Sequence, residues 1–257
     1  MPDAAHQNTA ALIIGGSQGL GLAIAEALVA QGCRSLVLAG RDVAKGEAAA
    51  ERIGASFLPV DMADAAAAIR LVDRAAERLG RIDALVNAAA LTDRGSVLDT
   101  TPELWDRMLA VNARGPFFAL QRVAQLAIAA GHPASVVNIL SMVVHCGQSF
   151  LAPYSASKAA LMNVTRNAAQ ALRTKRIRVN GINCGWMDTP GEDQIQRRFH
   201  GAGDDWLARA EARMPFGMLV KPAHVAGLAA YMLGPAAGVM TGSVVDFDQN
   251  VAGANPE

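Results

Sequence analysis

Seven short and nearly unbroken apolar runs punctuate the sequence, at residues 10–14, 35–39, 56–60, 84–87, 135–140, 177–183 and 243–247. Strict apolar/polar alternation would mark strands with one wet face; continuous runs mark strands covered on both faces, the habit of parallel sheets. Parallel neighbours need crossovers of a dozen or more residues. Segments of helix-forming composition supply them, most clearly at 20–31, 43–53, 64–79, 103–130, 154–174 and 223–233. Thr101 before Pro102 marks one helix start, as N-cap followed by proline in the first helical position. The rhythm predicts an α/β fold, a doubly wound seven-stranded parallel sheet with helices on both faces.

No Pro/Gly/Ser-rich linker and no internal repeat divides the 257 residues, so 1–257 is expected to form a single domain. One stretch breaks the rhythm. Residues 190–222 insert polar, mixed-charge, helix-like sequence between the sixth strand and the last helix. An insertion at the carboxyl end of such a strand is placed to act as a substrate lid; a surface excursion is the alternative.

Hydrophobic residues make up 52% and charged residues 18%, which excludes intrinsic disorder. Lys and Arg total 23 against 23 Asp and Glu, which excludes a broad cationic surface for nucleic acid but not one local cationic site. Cys33, Cys146 and Cys184 lie too far apart for a zinc motif or a disulfide framework, so reduced thiols are expected. His6, His132, His200 and His224 are scattered without paired ligand spacing, so no metal is expected. The N-terminus has no basic n-region, and the longest weakly polar stretch, 225–240, is short of a bilayer span. These features predict a soluble cytoplasmic protein with no membrane or nucleic-acid partner.

The first strand runs into Gly15, Gly19 and Gly21, spaced G-x-x-x-G-x-G, and then into a helix. Such a turn lets backbone approach a pyrophosphate, while the helix N-terminus offers free N–H groups and the positive end of its dipole. Glycine serves any tight turn, so its position after the first strand is what points to a dinucleotide. The second strand ends in Ala39-Gly40-Arg41, where many such folds carry an acid for the ribose 2′-hydroxyl. Arg41 can pair with a 2′-phosphate, so NADP(H) is favoured and NAD(H) is the alternative. In a second reading Arg41 stacks on adenine without discriminating, and the turn itself holds Gln18 in place of another basic residue.

Tyr154 and Lys158 stand at i and i+4 in a helix-like segment, on one face. A phenol with pKa near ~10 is a poor base at neutral pH. An ammonium ~4 Å away at effective dielectric ~20 contributes roughly 4 kcal/mol, about three pKa units, towards phenolate. The pair can therefore exchange a proton with a carbonyl or alcohol oxygen. Ser141 ends the preceding strand at the ligand-binding edge of the sheet, and Asn112 sits among apolar neighbours in the 103–130 segment.

These residues together resemble the short-chain dehydrogenase/reductase family, over essentially the whole chain. Gly15, Gly19 and Gly21 match its glycine turn and Asp61 its acid after the third strand, which contacts adenine. Asn87-Ala88-Ala89-Ala90 is similar to its N-N-A-G stretch, and residues 183–189 to its N-x-G stretch. Asn112, Ser141, Tyr154 and Lys158 fall on its catalytic tetrad. The sequence departs from the family pattern at Ile14, Ala88, Ala90 and Cys184, none of them a catalytic group.

The resemblance implies a Rossmann-type fold and an NAD(P)-dependent oxidoreductase. Hydride would pass between the nicotinamide and a secondary alcohol or ketone while Tyr154 transfers the proton. Lys158 would lower the tyrosine pKa and bind ribose, Ser141 would orient the oxygen, and Asn112 would support a water relay. The cofactor would be held by Gly15, Ser17, Gln18, Gly19, Leu20, Gly21, Arg41, Asp61, Met62, Asn87, Ala88 and Ala89, with Tyr154, Lys158, Gly185, Trp186 and Thr189. Substrate would meet Ser141, Val143, Gln148, Leu151, Trp186 and Met187, with His145, Cys146 and Phe199 nearby; a sugar, polyol or cyclic alcohol suits the polar lid. A homodimer or homotetramer is expected by the same likeness. A non-catalytic dinucleotide-binding regulator is the alternative, but it has no need of Ser141, Tyr154 and Lys158 in register.

Overall fold

The computed structural model describes residues 4–145 and 147–254. Its strands are β1 (Ala10–Ile14), β2 (Ser35–Gly40), β3 (Ser56–Pro59), β4 (Ala84–Asn87), β5 (Ala134–Ser141), β6 (Ile177–Cys184) and β7 (Val244–Phe247). They form one parallel sheet in the order β3-β2-β1-β4-β5-β6-β7. The longest pairing joins β5 and β6, from Ala134 opposite Ile177 to Ser141 opposite Cys184.

The helices are α1 (Gly19–Ala30), α2 (Val43–Ile53), α3 (Ala65–Leu79), α4 (Pro102–Leu109), α5 (Gly115–Ala130), α6 (Ala152–Leu172), α7 (Pro190–His200), α8 (Trp206–Glu211) and α9 (Pro222–Leu233). Strand side chains alternate between the two faces of the sheet. Ala11 and Ile13 of β1 join the core under α1, α2 and α9, whereas Leu12 and Ile14 join the one under α3 and α5. All four are fully buried, which is why the run reads as continuously apolar. Asp42 caps α2, Asp64 caps α3, and Thr101 caps α4 through the Leu104 N–H.

The helix expected as one piece over 103–130 is divided: α4 and α5 flank a π-helical turn at Ala110–Arg114. The apolar pattern continues through it, so the sequence carries no periodicity break to mark the turn. Gly115 passes so close to β3's continuation that a Cβ there would lie 2.4 Å from the Met62 carbonyl oxygen. The 190–222 insertion folds as α7 and α8 around a small core of Trp206, Ala210 and Leu219. Lys221 Nζ clips its base, 2.8 Å from Asp188 Oδ2 and 2.6 Å from Glu211 Oε1. Among the described residues, no helix is long and apolar enough to cross a membrane.

Candidate active site

The winding of the sheet reverses between β1 and β4, and the loops leaving these adjacent strands diverge to leave a crevice. A cavity of about 720 Å³ opens there. Gly15, Ser17, Gln18, Gly19, Leu20 and Gly21 form part of its wall. Arg41, Asp61 and Met62 join them from the ends of β2 and β3, and Ala88, Ala89 and Thr189 from the loops after β4 and β6.

The turn has the shape a dinucleotide pyrophosphate needs. Gly15 has φ +88°, and a Cβ on it would lie 2.4 Å from the Ala89 nitrogen. A Cβ on Gly21 would lie 2.2 Å from the Gly15 carbonyl oxygen, so helix and strand touch backbone to backbone. Gln18 leads into α1 without capping it, so first-turn N–H groups of α1 stay available to an anion. Ile14, where the family pattern has a hydroxyl, braces the turn by its carbonyl, which accepts from the Ala88 and Ala89 N–H groups at 2.8 and 3.0 Å. Arg41 is exposed beside the cavity and makes no ion pair among the described residues. These residues fit the dinucleotide.

The proton-transfer candidates meet at the carboxyl edge of β5 and β6. Ser141 ends β5, and its Oγ, which accepts from the Val143 N–H at 3.4 Å, lies close enough to the Tyr154 phenol to favour the ionised form. Lys158 lies one turn along α6 and is 2% exposed. Its Nζ donates to the Ile139 carbonyl at 2.8 Å and lies 5.8 Å from the Tyr154 ring centroid.

This geometry corrects the expected sign of the tyrosine shift. Tyr154 keeps part of its surface exposed, yet enough protein crowds its phenol that burial pushes the pKa up to about 12, with the Ser141 side chain opposing. Burial also pulls Lys158 down to about 8. The ammonium is directed at a backbone carbonyl and not at the phenolic oxygen, so the ~4 Å attraction assumed from spacing does not operate. Cys184, at the end of β6, is likewise pushed up by burial to about 12, and its thiol stays protonated.

Asn112 sits in the π-helical turn, fully buried. Its Oδ1 accepts from the Leu91 N–H at 2.7 Å, and its Nδ2 donates to the Leu91 carbonyl at 2.8 Å and to Ser157 Oγ at 3.0 Å. Both amide hydrogens thus tie the loop after β4 to α6, next to Tyr154 and Lys158. In this position Asn112 joins the loop to the helix, and the π turn is what aims it.

The remaining expected residues are placed variously. Asn87 is buried in the sheet and donates to Asn138 Oδ1 at 2.8 Å, away from the cavity wall. Gly185 packs on Asp248, whose Oδ1 would lie 2.1 Å from a Cβ, so its glycine serves that contact. Trp186 Nε1 donates to Glu192 Oε1 at 2.8 Å, and Thr189 Oγ1 caps α7. Val143 accompanies Ser141 in a short 3₁₀ turn, and Gln148 is exposed. Leu151 is buried and bridges to Gly95, while Met187 packs on the core and bridges to Val220. His145 Nε2 pairs with Asp246 Oδ1 at 2.9 Å; Cys146 lies outside the described residues. His6 is a buried core histidine bonded to the Ala230 carbonyl.

Sequence reasoning missed Arg94 and Glu192. Both interact electrostatically with Tyr154, and Glu192 also lines the cavity. The signal available for Arg94 was a lone cation three residues past the Asn87–Leu91 stretch; Glu192 lies within the polar, mixed-charge 190–222 insertion, where nothing in its spacing singles it out.

The fold and the glycine turn at its winding reversal define a dinucleotide-binding α/β protein. A family model described as enoyl-(acyl carrier protein) reductase matches residues 15–250. A sorbitol dehydrogenase of Cereibacter sphaeroides is 33% identical, over 93% of this chain and 95% of that protein. An NADP-dependent (R)-specific alcohol dehydrogenase of Lentilactobacillus kefiri is 32% identical, over 92% and 94%. A solved structure titled short chain dehydrogenase/reductase family protein superposes with TM-score 0.82 at 30% identity, covering 95% of this chain and 97% of that one. The chain belongs to the short-chain dehydrogenase/reductase family. It is an oxidoreductase of the alcohol dehydrogenase/ketone reductase type, a kind that works with a nicotinamide cofactor.

Proposed function

We propose that the protein interconverts a secondary alcohol and its ketone with NADP(H), and that Tyr154 carries the proton. The observation behind this reading is the convergence of Ser141, Tyr154 and Lys158 at one edge of the sheet, beside the crevice. A bound nicotinamide cofactor supplies or accepts the hydride. In reduction, Tyr154 Oη gives its proton to the carbonyl oxygen, and the Ser141 hydroxyl holds that oxygen; oxidation runs the same transfer backwards. With its pKa near 12 the phenol keeps its proton through neutral pH, ready for reduction. Lys158, with its pKa about 8, is charged below that pH and, anchored on the Ile139 carbonyl one turn along α6, would hold the cofactor ribose. Asn112 fixes the loop and helix that carry these groups.

Arg41 supports NADP(H) over NAD(H), in keeping with the NADP dependence of the Lentilactobacillus kefiri relative. The sorbitol dehydrogenase relative supports a polyhydroxylated substrate, with sugars and cyclic alcohols as near kin. Residues 1–257 are read as one domain with 190–222 as its lid, in a cytoplasmic homodimer or homotetramer. Exposed Trp105 and Phe117, on α4 and α5, suit burial between copies.

The test follows nicotinamide absorbance across a panel of ketones and secondary alcohols, with NADP⁺ and NAD⁺ in parallel. Tyr154→Phe is expected to bind cofactor normally and lose about 10³-fold in kcat. Near-normal turnover in that variant sinks the assignment. Tight cofactor binding with no turnover by the wild type points instead to a regulator.

A further inference from the structure

Arg94 stands in the loop after β4, half-buried at the edge where Tyr154 works. The next residue fastens it there. Gly95 donates its N–H to the Phe150 carbonyl at 3.0 Å and accepts from the Ala152 N–H at 2.9 Å, two residues before Tyr154. The junction is tight, since a Cβ on Gly95 would lie 2.6 Å from Thr100 Oγ1 and would have to push that side chain aside. The guanidinium lies over the Phe150 ring, 5.3 Å from its centroid. Its Nε donates to His200 Nε2 at 3.2 Å, and its Nη1 to the Thr92 carbonyl at 3.0 Å.

What Arg94 lacks is an ion pair: none is found among the described residues. A guanidinium withdrawn from water is normally matched by a carboxylate. Among the described residues, the acids close by act on it through space and make no direct pair with it. Glu192 Oε1 accepts from both Trp186 Nε1 at 2.8 Å and Gln196 Nε2 at 2.7 Å, and Asp93 faces Arg198 at 3.8 Å. Burial holds the guanidinium below its ordinary pKa, while Glu192, Tyr154 and Asp93 pull the other way, so it stays charged within electrostatic reach of the phenol. Of five N–H bonds, two are used in neutral contacts and three are left, enough for a forked pair with two oxygens.

We propose that Arg94 is a substrate subsite for a carboxylate, so that the preferred substrate is a hydroxy acid or keto acid whose reacting carbon stands at Tyr154. The proposal rests on the Tyr154 reading above and names the substrate class of that site. Phe150 and His200 form the platform that holds the guanidinium in place.

The experiment uses matched substrates on the NADP⁺-loaded enzyme: gluconate against sorbitol, and 3-hydroxybutyrate against 2-butanol. The carboxylate member of each pair is expected to have kcat/KM at least ~10-fold higher, a charge-assisted bidentate contact being worth that much. Arg94→Gln should erase the preference through KM, and Arg94→Lys should restore part of it. Equal use of both members, or an equal fall for both in Arg94→Gln as expected of a prop for His200, overturns the proposal. A second arm titrates gluconate and 3-hydroxybutyrate by calorimetry into NADP⁺-loaded Tyr154→Phe, where no chemistry intervenes. Binding there that vanishes when Arg94→Gln is added supports the subsite even if the wild type turns nothing over, an outcome that would sink only the Tyr154 reading. Turnover of neutral alcohols with no binding of either acid sinks the subsite alone.

Discussion

Arg41 follows the last residue of β2, exposed at the rim of the crevice and without an ion pair among the described residues. A 2′-phosphate there would gain charge-assisted hydrogen bonds that a 2′-hydroxyl cannot make. Arg41→Ala is therefore expected to raise the dissociation constant for NADPH at least ~10-fold, about 1.4 kcal/mol, while moving that for NADH by under ~3-fold. Fluorescence titration of both cofactors decides it; equal losses would make Arg41 an adenine-stacking residue. At this scale the sequence was legible wherever backbone geometry demands a residue type. Gly15 and Gly21 could be picked out because only glycine fits against Ala89 and Gly15 at 2.4 and 2.2 Å. The state of Tyr154 was not, because i, i+4 spacing gives a shared face but not which acceptor Lys158 chooses or how much protein covers the phenol. Arg94 was illegible for a related reason: its partner His200 lies 106 residues along the chain.

The π-helical turn at Ala110–Arg114 is where one element does work that the α-helices beside it do not. Such turns widen the helix by one residue and commonly mark functional positions. Here the turn carries Asn112, whose amide replaces the missing backbone partners of Leu91. Asn112→Ala would leave the part-buried N–H and carbonyl of Leu91 without partners, while Ser157 keeps its bond to the Tyr154 carbonyl, at about 1–3 kcal/mol for each group stranded. The expected result is a loss of about 3 kcal/mol, or a Tm lower by roughly 6–12 °C. Thermal unfolding of the apo and NADP⁺-loaded protein checks this. A change under ~1 °C would mean that water takes over the contacts and that the amide serves chemistry more than architecture. The strands and most helix ends could be read from apolar runs and caps such as Asp64 and Thr101. The division of 103–130 could not, because Met108, Val111, Ala119 and Leu120 keep the apolar pattern alive on both sides of the turn.

Across the whole molecule, 23 cations balance 23 anions, and that balance is silent about where an anion binds. Net charge is a sum over the surface, whereas an anion in the crevice would meet one helix end and a few named groups. What the whole molecule does feel is the burial of Lys158, and this has a measurable signature in stability against pH. Burial lowers the folded-state pKa from 10.5 to about 8. Below pH 8 both folded and unfolded chains hold the proton, and the folded state bears the full cost of a buried charge. Between about 8 and 10.5 the unfolded chain binds the proton that the folded one has lost, so stability rises with pH, by about 3 kcal/mol in all. Tyr154 has the opposite sign at higher pH: raised from 10.0 to about 12, it makes stability fall once pH passes 10. Urea unfolding at pH 7, 8, 9 and 10 isolates the lysine when wild type is compared with Lys158→Met, which keeps the volume and removes the charge. The stability of wild type relative to the variant should change little from pH 7 to 8 and then climb through pH 9 and 10. A difference that stays flat would mean that Lys158 is solvated in solution, and the proton-transfer chemistry would then start from an ordinary lysine and not from one poised near pH 8.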